Sequence, residues 1–289
     1  MTTSNTAAPS AAAPLGTDER RAITLARRRY QTVIFLRLAL GLSVLAAWEG
    51  AVQLGLIDPF FFSQPSAISA QLFVWLTEGT AQGPLWHELL VTMEETVLGF
   101  IIGSVLGIVF GIALGRNKMA ADVFSIYVKV ANAIPRVVLG SIFIIMFGLG
   151  MGSKIALAVV MVFFVVFGNA FQGVREADKN LIANAYILGA NKNQVTFSVV
   201  FPSALTWILA SLHVSFGFAL VGAVVGEFLG ARHGIGLLIA TAQGTFNAAG
   251  VFAAMIVLAV VALAAEYLLT ALENRLLKWR PPQFVEHGM

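Results

Sequence analysis

The sequence contains no cysteine and few charged residues. Of its 289 residues, 11% are charged and 58% are hydrophobic, whereas a soluble domain usually has about 25% charged residues. The absence of cysteine excludes disulfide bonds and thiolate chemistry. The shortage of charge, together with a mean hydropathy of +0.84, predicts a protein that crosses a lipid bilayer several times.

Familiar catalytic motifs are also missing. The glycine-rich segment 148–154 lacks the Gly-Lys-Ser/Thr ending of a P-loop, and no HExxH or GxSxG motif occurs. The four histidines are scattered at positions 87, 213, 233 and 287, without the spacing of a metal site. We therefore predict that the chain is not an enzyme and holds no metal or cofactor of its own. Energy for any transport would come from a partner or an ion gradient.

Six apolar segments are near the length that crosses a bilayer of roughly 30 Å at about 1.5 Å per residue. They are Val33–Gly55, Leu89–Gly115, Asp122–Phe147, Lys154–Phe171, Ser203–Val225 and Val251–Leu272. Residues 1–32 are interpreted as a disordered cytoplasmic tail with a basic segment, 33–281 as the membrane domain, and 282–289 as a second cytoplasmic tail. A cleaved signal peptide is the alternative for the first segment, but its length favours a retained helix.

Lysine and arginine set the predicted orientation. Thirteen of the 18 lie on one side of the predicted spans, and two, Lys154 and Arg232, lie on the other. Because the positive side is cytoplasmic, we expect both termini and the segment Arg175–Phe201 to face the cytoplasm. The same rule accounts for the basic balance of the chain, so no nucleic-acid partner is expected.

The second span carries five glycines that recur every fourth residue. On a helix this spacing forms one smooth stripe, which lets a neighbouring backbone approach closely within the bilayer. We predict that the stripe serves helix packing and carries no chemistry. Its members are Gly99, Gly103, Gly107, Gly111 and Gly115.

A few polar or helix-breaking residues inside the third and fifth spans are candidates to line a translocation path. Proline inside the third span should break the helix, which is tolerated where protein or a water-filled cavity covers the backbone. For the arginine, a structural ion pair is the alternative, and for the histidine a hydrogen bond between helices. The candidates are Asn132, Pro135, Arg136, His213 and Glu227.

The segment Arg175–Phe201 is the most informative part of the chain, because it is polar yet patterned as two helices. Gly189 stands where a left-handed cap would end the first helix. Asn191 and Gln194 are spaced as a capping box for the second, and Pro202 then opens the fifth span. A structured helical hairpin outside the membrane predicts a docking surface for a partner protein.

The hairpin resembles the coupling loop of ABC importer permeases, whose pattern is Glu-Ala-Ala, three residues, Gly, and later a hydrophobic residue before Pro. Gly189 and Pro202 match that pattern in register, whereas Ala183 stands in place of its Glu and Asn184 in place of its first Ala. The resemblance implies contact with an ATPase through the coupling segment. Its residues are Ala183, Asn184, Ala185, Gly189, Ala190 and Pro202.

Three further segments are similar to the nitrate, sulfonate and taurine branch of that family. They are 133–150, 227–236 and 272–281. The resemblance implies an all-α, type I ABC importer permease fold of about six transmembrane helices in the bacterial inner membrane. It also implies a homodimer, two cytoplasmic ATPases that use ATP and Mg, an extracytoplasmic binding protein and a small anionic solute.

Three alternatives remain open at the level of the sequence. The same importer class also carries vitamin precursors, riboflavin and aromatic compounds. An ion-coupled secondary transporter would need carboxylates deep in the spans, whereas the available ones are expected near span ends: Glu49, Glu94, Glu95 and Glu266. A membrane enzyme would need the motifs that are missing.

Overall fold

The computed structural model describes residues 17–276, and every regular element in that range is a helix. The helices are α1 (Thr17–Gln53), α2 (Pro59–Phe62), α3 (Pro65–Thr77), α4 (Leu85–Gly115), α5 (Lys118–Ala133), α6 (Leu139–Phe147), α7 (Met151–Arg175), α8 (Lys179–Ile187), α9 (Lys192–Val195), α10 (Phe201–Leu229), α11 (Ile235–Gly244) and α12 (Ala248–Leu276). The chain forms two compact units, Met1–Asp58 and Pro59–Met289. The predicted tail 282–289 and the first half of the predicted N-terminal tail, residues 1–16, lie outside the described residues.

Five helical stretches of residues 17–276 are long and apolar enough to cross a membrane, and the number is six if one bent pair of helices is counted as a single span. The five are Arg28–Gln53, Leu85–Gly115, Met151–Arg175, Lys192–Leu229 and Ala248–Ala271. The bent pair, Met119–Ala131 with Arg136–Phe147, corresponds to the third predicted span. The all-α polytopic architecture predicted from the sequence is therefore confirmed.

The first helix is longer than its apolar run, because α1 begins at Thr17 and takes in the basic segment before Val33. Arginine, alanine and leucine are all good helix formers, so the helix extends beyond the stretch that hydropathy marks. Basic residues at this end of α1 fit the polar surface of a bilayer.

Helix α7 lies between α4 and α10 at the centre of the second unit. All five glycines of the α4 stripe face it, and a Cβ atom at Gly107 would lie 2.9 Å from the Cβ of Val166. Gly222 of α10 likewise leaves room for the backbone of Ala158 on α7. Ala158 itself is fully buried and also contacts Gly99. Small residues thus let three backbones approach closely.

The second helix of the hairpin does not end before Pro202. Helix α9 continues through a π-helical turn, Thr196–Val200, directly into α10, so residues 192–229 form one continuous helical stretch. A proline inside a helix clashes with the carbonyl four residues earlier and cannot donate a hydrogen bond. The wider π turn accommodates this without a break, and α10 begins at Phe201 with Pro202 in its first turn, as the sequence predicted.

Candidate functional site

The predicted break in the third span is present. Helix α5 ends at Ala133, Ile134 and Pro135 have extended backbones, and a 3-10 turn begins at Arg136. The helical segments on the two sides differ in direction by 72°. Proline removes a donor and disfavours a helical conformation in the residue before it, which explains the position of the break.

Arg136 is half-buried at this bend. Its guanidinium carbon lies 5.0 Å from the centre of the Phe164 ring on α7, a cation–π contact that stabilises by about 0.5–2 kcal/mol. Asn132 belongs to the last turn of α5. Asn132, Pro135 and Arg136 therefore all lie at the bend. Their role in translocation stays a prediction.

His213 joins two helices. Its Nδ1 lies 3.2 Å from Oε1 of Glu266 on α12. This is the hydrogen bond between helices that the sequence offered as the alternative to a substrate contact. Its place in a translocation path also stays a prediction.

Glu227 is fully buried at the end of α10, where it helps to hold the start of α11. Its Oε2 accepts a hydrogen bond of 2.6 Å from the amide of Gly236. The preceding amides donate to α4: Gly234 to Oε2 of Glu88 at 2.6 Å, and Ile235 to Oγ1 of Thr92 at 2.9 Å. The first amides of a helix have no partners within the helix, so side chains from α4 and α10 cap α11.

This cap requires a residue without a side chain at position 234. Gly234 has a φ of +113°, and a Cβ atom there would collide with the carboxyl group of Glu227. At Gly236 a Cβ atom would collide with the carbonyl oxygen of Val224 and with the side chain of Glu227. The segment 227–236 is therefore a structural motif in which a buried carboxylate and two glycines fit together.

Two more ionisable side chains are buried beside Glu227. Glu95 of α4 is 2% exposed and Lys154 of α7 is 1% exposed. The ammonium group of Lys154 donates to the carbonyls of Leu149 at 2.8 Å and Gly150 at 3.2 Å. It also interacts electrostatically with Glu95 and Glu227. We call Glu95, Lys154 and Glu227 the buried charge cluster.

The burial of three ionisable side chains is not predicted by the sequence pattern: Glu88, Glu95 and Lys154. Each stands near the end of an apolar segment, where a position at the membrane surface is expected. A signal was present in α4. Glu88, Thr92 and Glu95 have the spacing of one helix face, and the glycine stripe continues that face from Gly99. Polar residues in the first turns of a helix, followed on the same face by glycines, predict that this whole face is buried against the rest of the protein.

The hairpin at the other end of α4 is closed by the caps that the sequence predicted. Gly189 has a φ of +84°, and the amides of Gly189 and Ala190 donate at 3.0 Å to the carbonyls of Tyr186 and Ala185. These two bonds form a Schellman motif. Asn191 and Gln194 then form the capping box, with bonds of 2.8 and 2.9 Å. Local hydrogen bonds thus fix the shape of the turn.

Helix α8 presents two apolar faces. Its inner face, with Ile182 and Ala185, packs on a buried cluster of α7 and α10 residues. Its outer face and tip expose Leu181 at 54%, Ile187 at 81% and Leu188 at 87%. We call these last three residues the hairpin surface.

The predicted coupling residues lie around the hairpin surface. Ala183, Asn184 and Gly189 are exposed, whereas Ala190 and Pro202 are partly buried. Exposed apolar side chains on a segment that is too polar for the bilayer indicate a protein contact.

Comparison with known proteins agrees with this geometry. A family model described as "Binding-protein-dependent transport system inner membrane component" matches residues 103–278. A riboflavin transport system permease protein of Chloroflexus aurantiacus is 30% identical over 83% of this chain and 90% of its own length. A putative aliphatic sulfonates transport permease protein of Bacillus subtilis is 31% identical over 82% of this chain and 84% of its own length.

The fold is shared with a solved structure. An inward-facing structure of the MetNI methionine ABC transporter has a chain with a TM-score of 0.58 and 19% identity, over 67% of this chain and 94% of that one. Together with the matched helices and hairpin, these similarities show that the chain belongs to the binding-protein-dependent inner-membrane permeases of ABC importers.

Proposed function

We propose that this permease works as a dimer of identical subunits, with two cytoplasmic ATPases and an extracytoplasmic binding protein. ATP and Mg would be bound by the ATPase partners. The observation that carries the proposal is the hairpin surface, where Ile187 and Leu188 are held exposed by a rigid turn. Lysines and arginines cluster on this side of the chain, which favours a cytoplasmic position for the hairpin and both termini.

The continuous helix from α9 into α10 offers a mechanical connection for such a machine. A helical stretch of 38 residues is about 57 Å long at about 1.5 Å per residue. Lys192 at one end belongs to the hairpin, and Glu227 near the other end caps α11. A displacement of the hairpin by an ATPase would therefore reach the far end of the bundle without crossing a loop.

The buried carboxylates favour a structural role over ion coupling. Glu95 and Glu227 do lie inside the bundle, as an ion-coupled transporter would require. However, Lys154 interacts electrostatically with both, and a backbone amide bonds Glu227. Buried ionisable groups that already have partners in the fold fit a structural role, and the driving force would then come from ATP.

For the solute, we propose a small organic or inorganic anion such as a sulfonate. Arg136 supports this choice because it places a cation at the bend of a broken membrane helix, and charged residues at such depth commonly mark a pathway. One relative is named for aliphatic sulfonates and another for riboflavin. Riboflavin, a vitamin precursor or an aromatic compound is thus the second candidate.

Replacing Leu188 with glutamate tests the proposed docking. The side chain is 87% exposed, so the permease should fold normally while its affinity for the ATPase falls. An apolar anchor in a protein interface commonly contributes 2 kcal/mol or more, which corresponds to a loss of about 30-fold. The measurement is the dissociation constant of the purified ATPase for the permease in nanodiscs.

Leu76→Glu is the matched control, because Leu76 is 72% exposed at the end of α3, far from the hairpin in sequence. We expect this variant to bind the ATPase as the unmodified protein does. Equal affinities for both variants would contradict the docking assignment.

Replacing Arg136 with glutamine tests the anionic solute. If the guanidinium contacts the anion, uptake into vesicles with ATPase and binding protein should fall about tenfold or more, because a charge-assisted hydrogen bond contributes about 1.5–3 kcal/mol. ATP hydrolysis and the melting temperature should change little. Lys129→Gln, which removes an exposed cation from α5 of the same broken span, is the control. Unchanged uptake of an anion by Arg136→Gln would refute the contact.

A further inference from the structure

Two histidines and a buried glutamate meet at the start of α4, although the sequence shows no metal-ligand spacing there. His87 and Glu88 are neighbours in the first turn of α4, and His233 comes from the connection between α10 and α11. The Nδ1 atom of His87 lies 3.2 Å from Oε1 of Glu88, and that of His233 lies 3.1 Å from the same oxygen. The two imidazole rings are 5.0 Å apart, edge to face. The fold thus gathers donors that lie far apart in the chain.

We propose that His87, Glu88 and His233 bind a divalent transition metal, and that Zn²⁺ suits their nitrogen and oxygen donors best. Their ligand atoms all lie within 4.8 Å of one another. Neighbouring ligand atoms of a tetrahedral zinc with bonds of about 2.0–2.1 Å are roughly 3.3 Å apart. The two nitrogen–oxygen distances, 3.2 and 3.1 Å, are close to that separation.

The two nitrogens need the right tautomer to accept the ion. A neutral imidazole that carries its hydrogen on Nε2 presents the lone pair of Nδ1. With both rings in this tautomer, no hydrogen lies between either Nδ1 and Oε1 of Glu88, and Zn²⁺ can bind all three atoms. A water molecule then completes the tetrahedron.

The carboxylate is held in place before the ion arrives. Glu88 is fully buried, and its Oε2 accepts a hydrogen bond of 2.6 Å from the amide of Gly234. Such a bond from outside the ligand set orients a metal-binding carboxylate. The side chains of His87 and His233 are 44% and 45% exposed, so an ion from the solvent can reach the site.

The bound ion would fasten the α10–α11 connection to α4. His233 directly precedes Gly234, the first of the three amides that α4 and α10 cap. Gly115, at the opposite end of α4, lies beside the hairpin, and the two ends are about 45 Å apart at about 1.5 Å per residue. The site is therefore separate from the proposed docking of an ATPase and does not depend on it.

The test uses the full-length permease, purified in detergent without a polyhistidine tag and stripped with EDTA. Zn²⁺ is titrated against a chromophoric chelator. We expect one ion per chain, with affinity lower by at least about tenfold in His87→Ala and in His233→Ala, because even residues outside the ligand set change metal affinity by 10–100-fold. His213→Ala, which removes a histidine of another helix pair, should bind Zn²⁺ normally.

Two further measurements separate a built site from loose surface binding. Co²⁺ in place of Zn²⁺ should give the visible absorption of tetrahedral coordination, and this absorption should be lost in the double variant His87→Ala/His233→Ala. Zn²⁺ should also slow hydrogen exchange at the amides of residues 234–236. Equal Zn²⁺ binding by the unmodified protein and the double variant would overturn the site, and unchanged exchange with Zn²⁺ bound would overturn its fastening role.

Discussion

Replacing Lys154 with methionine is expected to destabilise the folded permease by about 3 kcal/mol or more, because each buried hydrogen-bonding group that loses its partner costs about 1–3 kcal/mol and a charged group costs more. Methionine keeps most of the volume of the lysine stem, so packing alone should change little. What is lost is the cation that interacts with Glu95 and Glu227. The carbonyls of Leu149 and Gly150 also lose their donor. The free energy of unfolding can be measured by SDS titration in mixed micelles.

A second substitution distinguishes charge from packing. In Lys154→Met/Glu95→Gln, the lysine and one of the carboxyl groups that interact with it are removed together, so much of the stability should return if the two side chains depend on each other. Lys129→Met, at an exposed lysine of α5, should change stability by less than about 0.5 kcal/mol. If the double variant is no more stable than Lys154→Met alone, the cluster is not held together by its charges.

Replacing Gly107 with leucine is expected to destabilise the protein by about 3 kcal/mol or more. Even a Cβ atom at this position would lie 2.9 Å from the backbone nitrogen of Phe167 and from the Cβ of Val166. Inserting single methylenes into a tight contact already costs about 1–3 kcal/mol, and leucine adds four carbons. Helices α4 and α7 would have to separate, which should lower the melting temperature in detergent by several degrees at least.

Gly168→Leu is the matched control, because Gly168 lies on α7 and a Cβ atom there would meet nothing within 4 Å. The same substitution at this exposed glycine should leave the melting temperature nearly unchanged. Similar losses at both positions would mean that glycine itself, rather than the contact between α4 and α7, is what the fold requires.

The features that could be predicted from the sequence are those decided by neighbouring residues. Pro135 breaks its helix because of its own ring, and Gly189 ends α8 because it accepts a positive φ. The capping box of Asn191 and Gln194 spans only three residues along the chain. Hydropathy likewise located the spans, since each depends on a continuous apolar run.

The features that could not be predicted depend on residues far apart in the chain. Glu88 and Gly234 are separated by 146 positions, and no local pattern indicates that they meet. Lys154 stands near the end of an apolar segment, so the sequence favours a position at the membrane surface. In the folded bundle the side chain is buried, and its ammonium donates to backbone carbonyls. The π turn before Pro202 is also a tertiary effect, in which packing keeps a helix intact that proline alone would interrupt.

The glycine stripe also limits how this bundle can move. Because its notches recur every fourth residue, α4 that slides along α7 would next find a matching register about 6 Å away, at about 1.5 Å per residue. A shorter shift would press side chains of α7 against the larger residues that lie between the glycines of α4. We therefore expect α4, α7 and α10 to turn together as one rigid unit during a transport cycle.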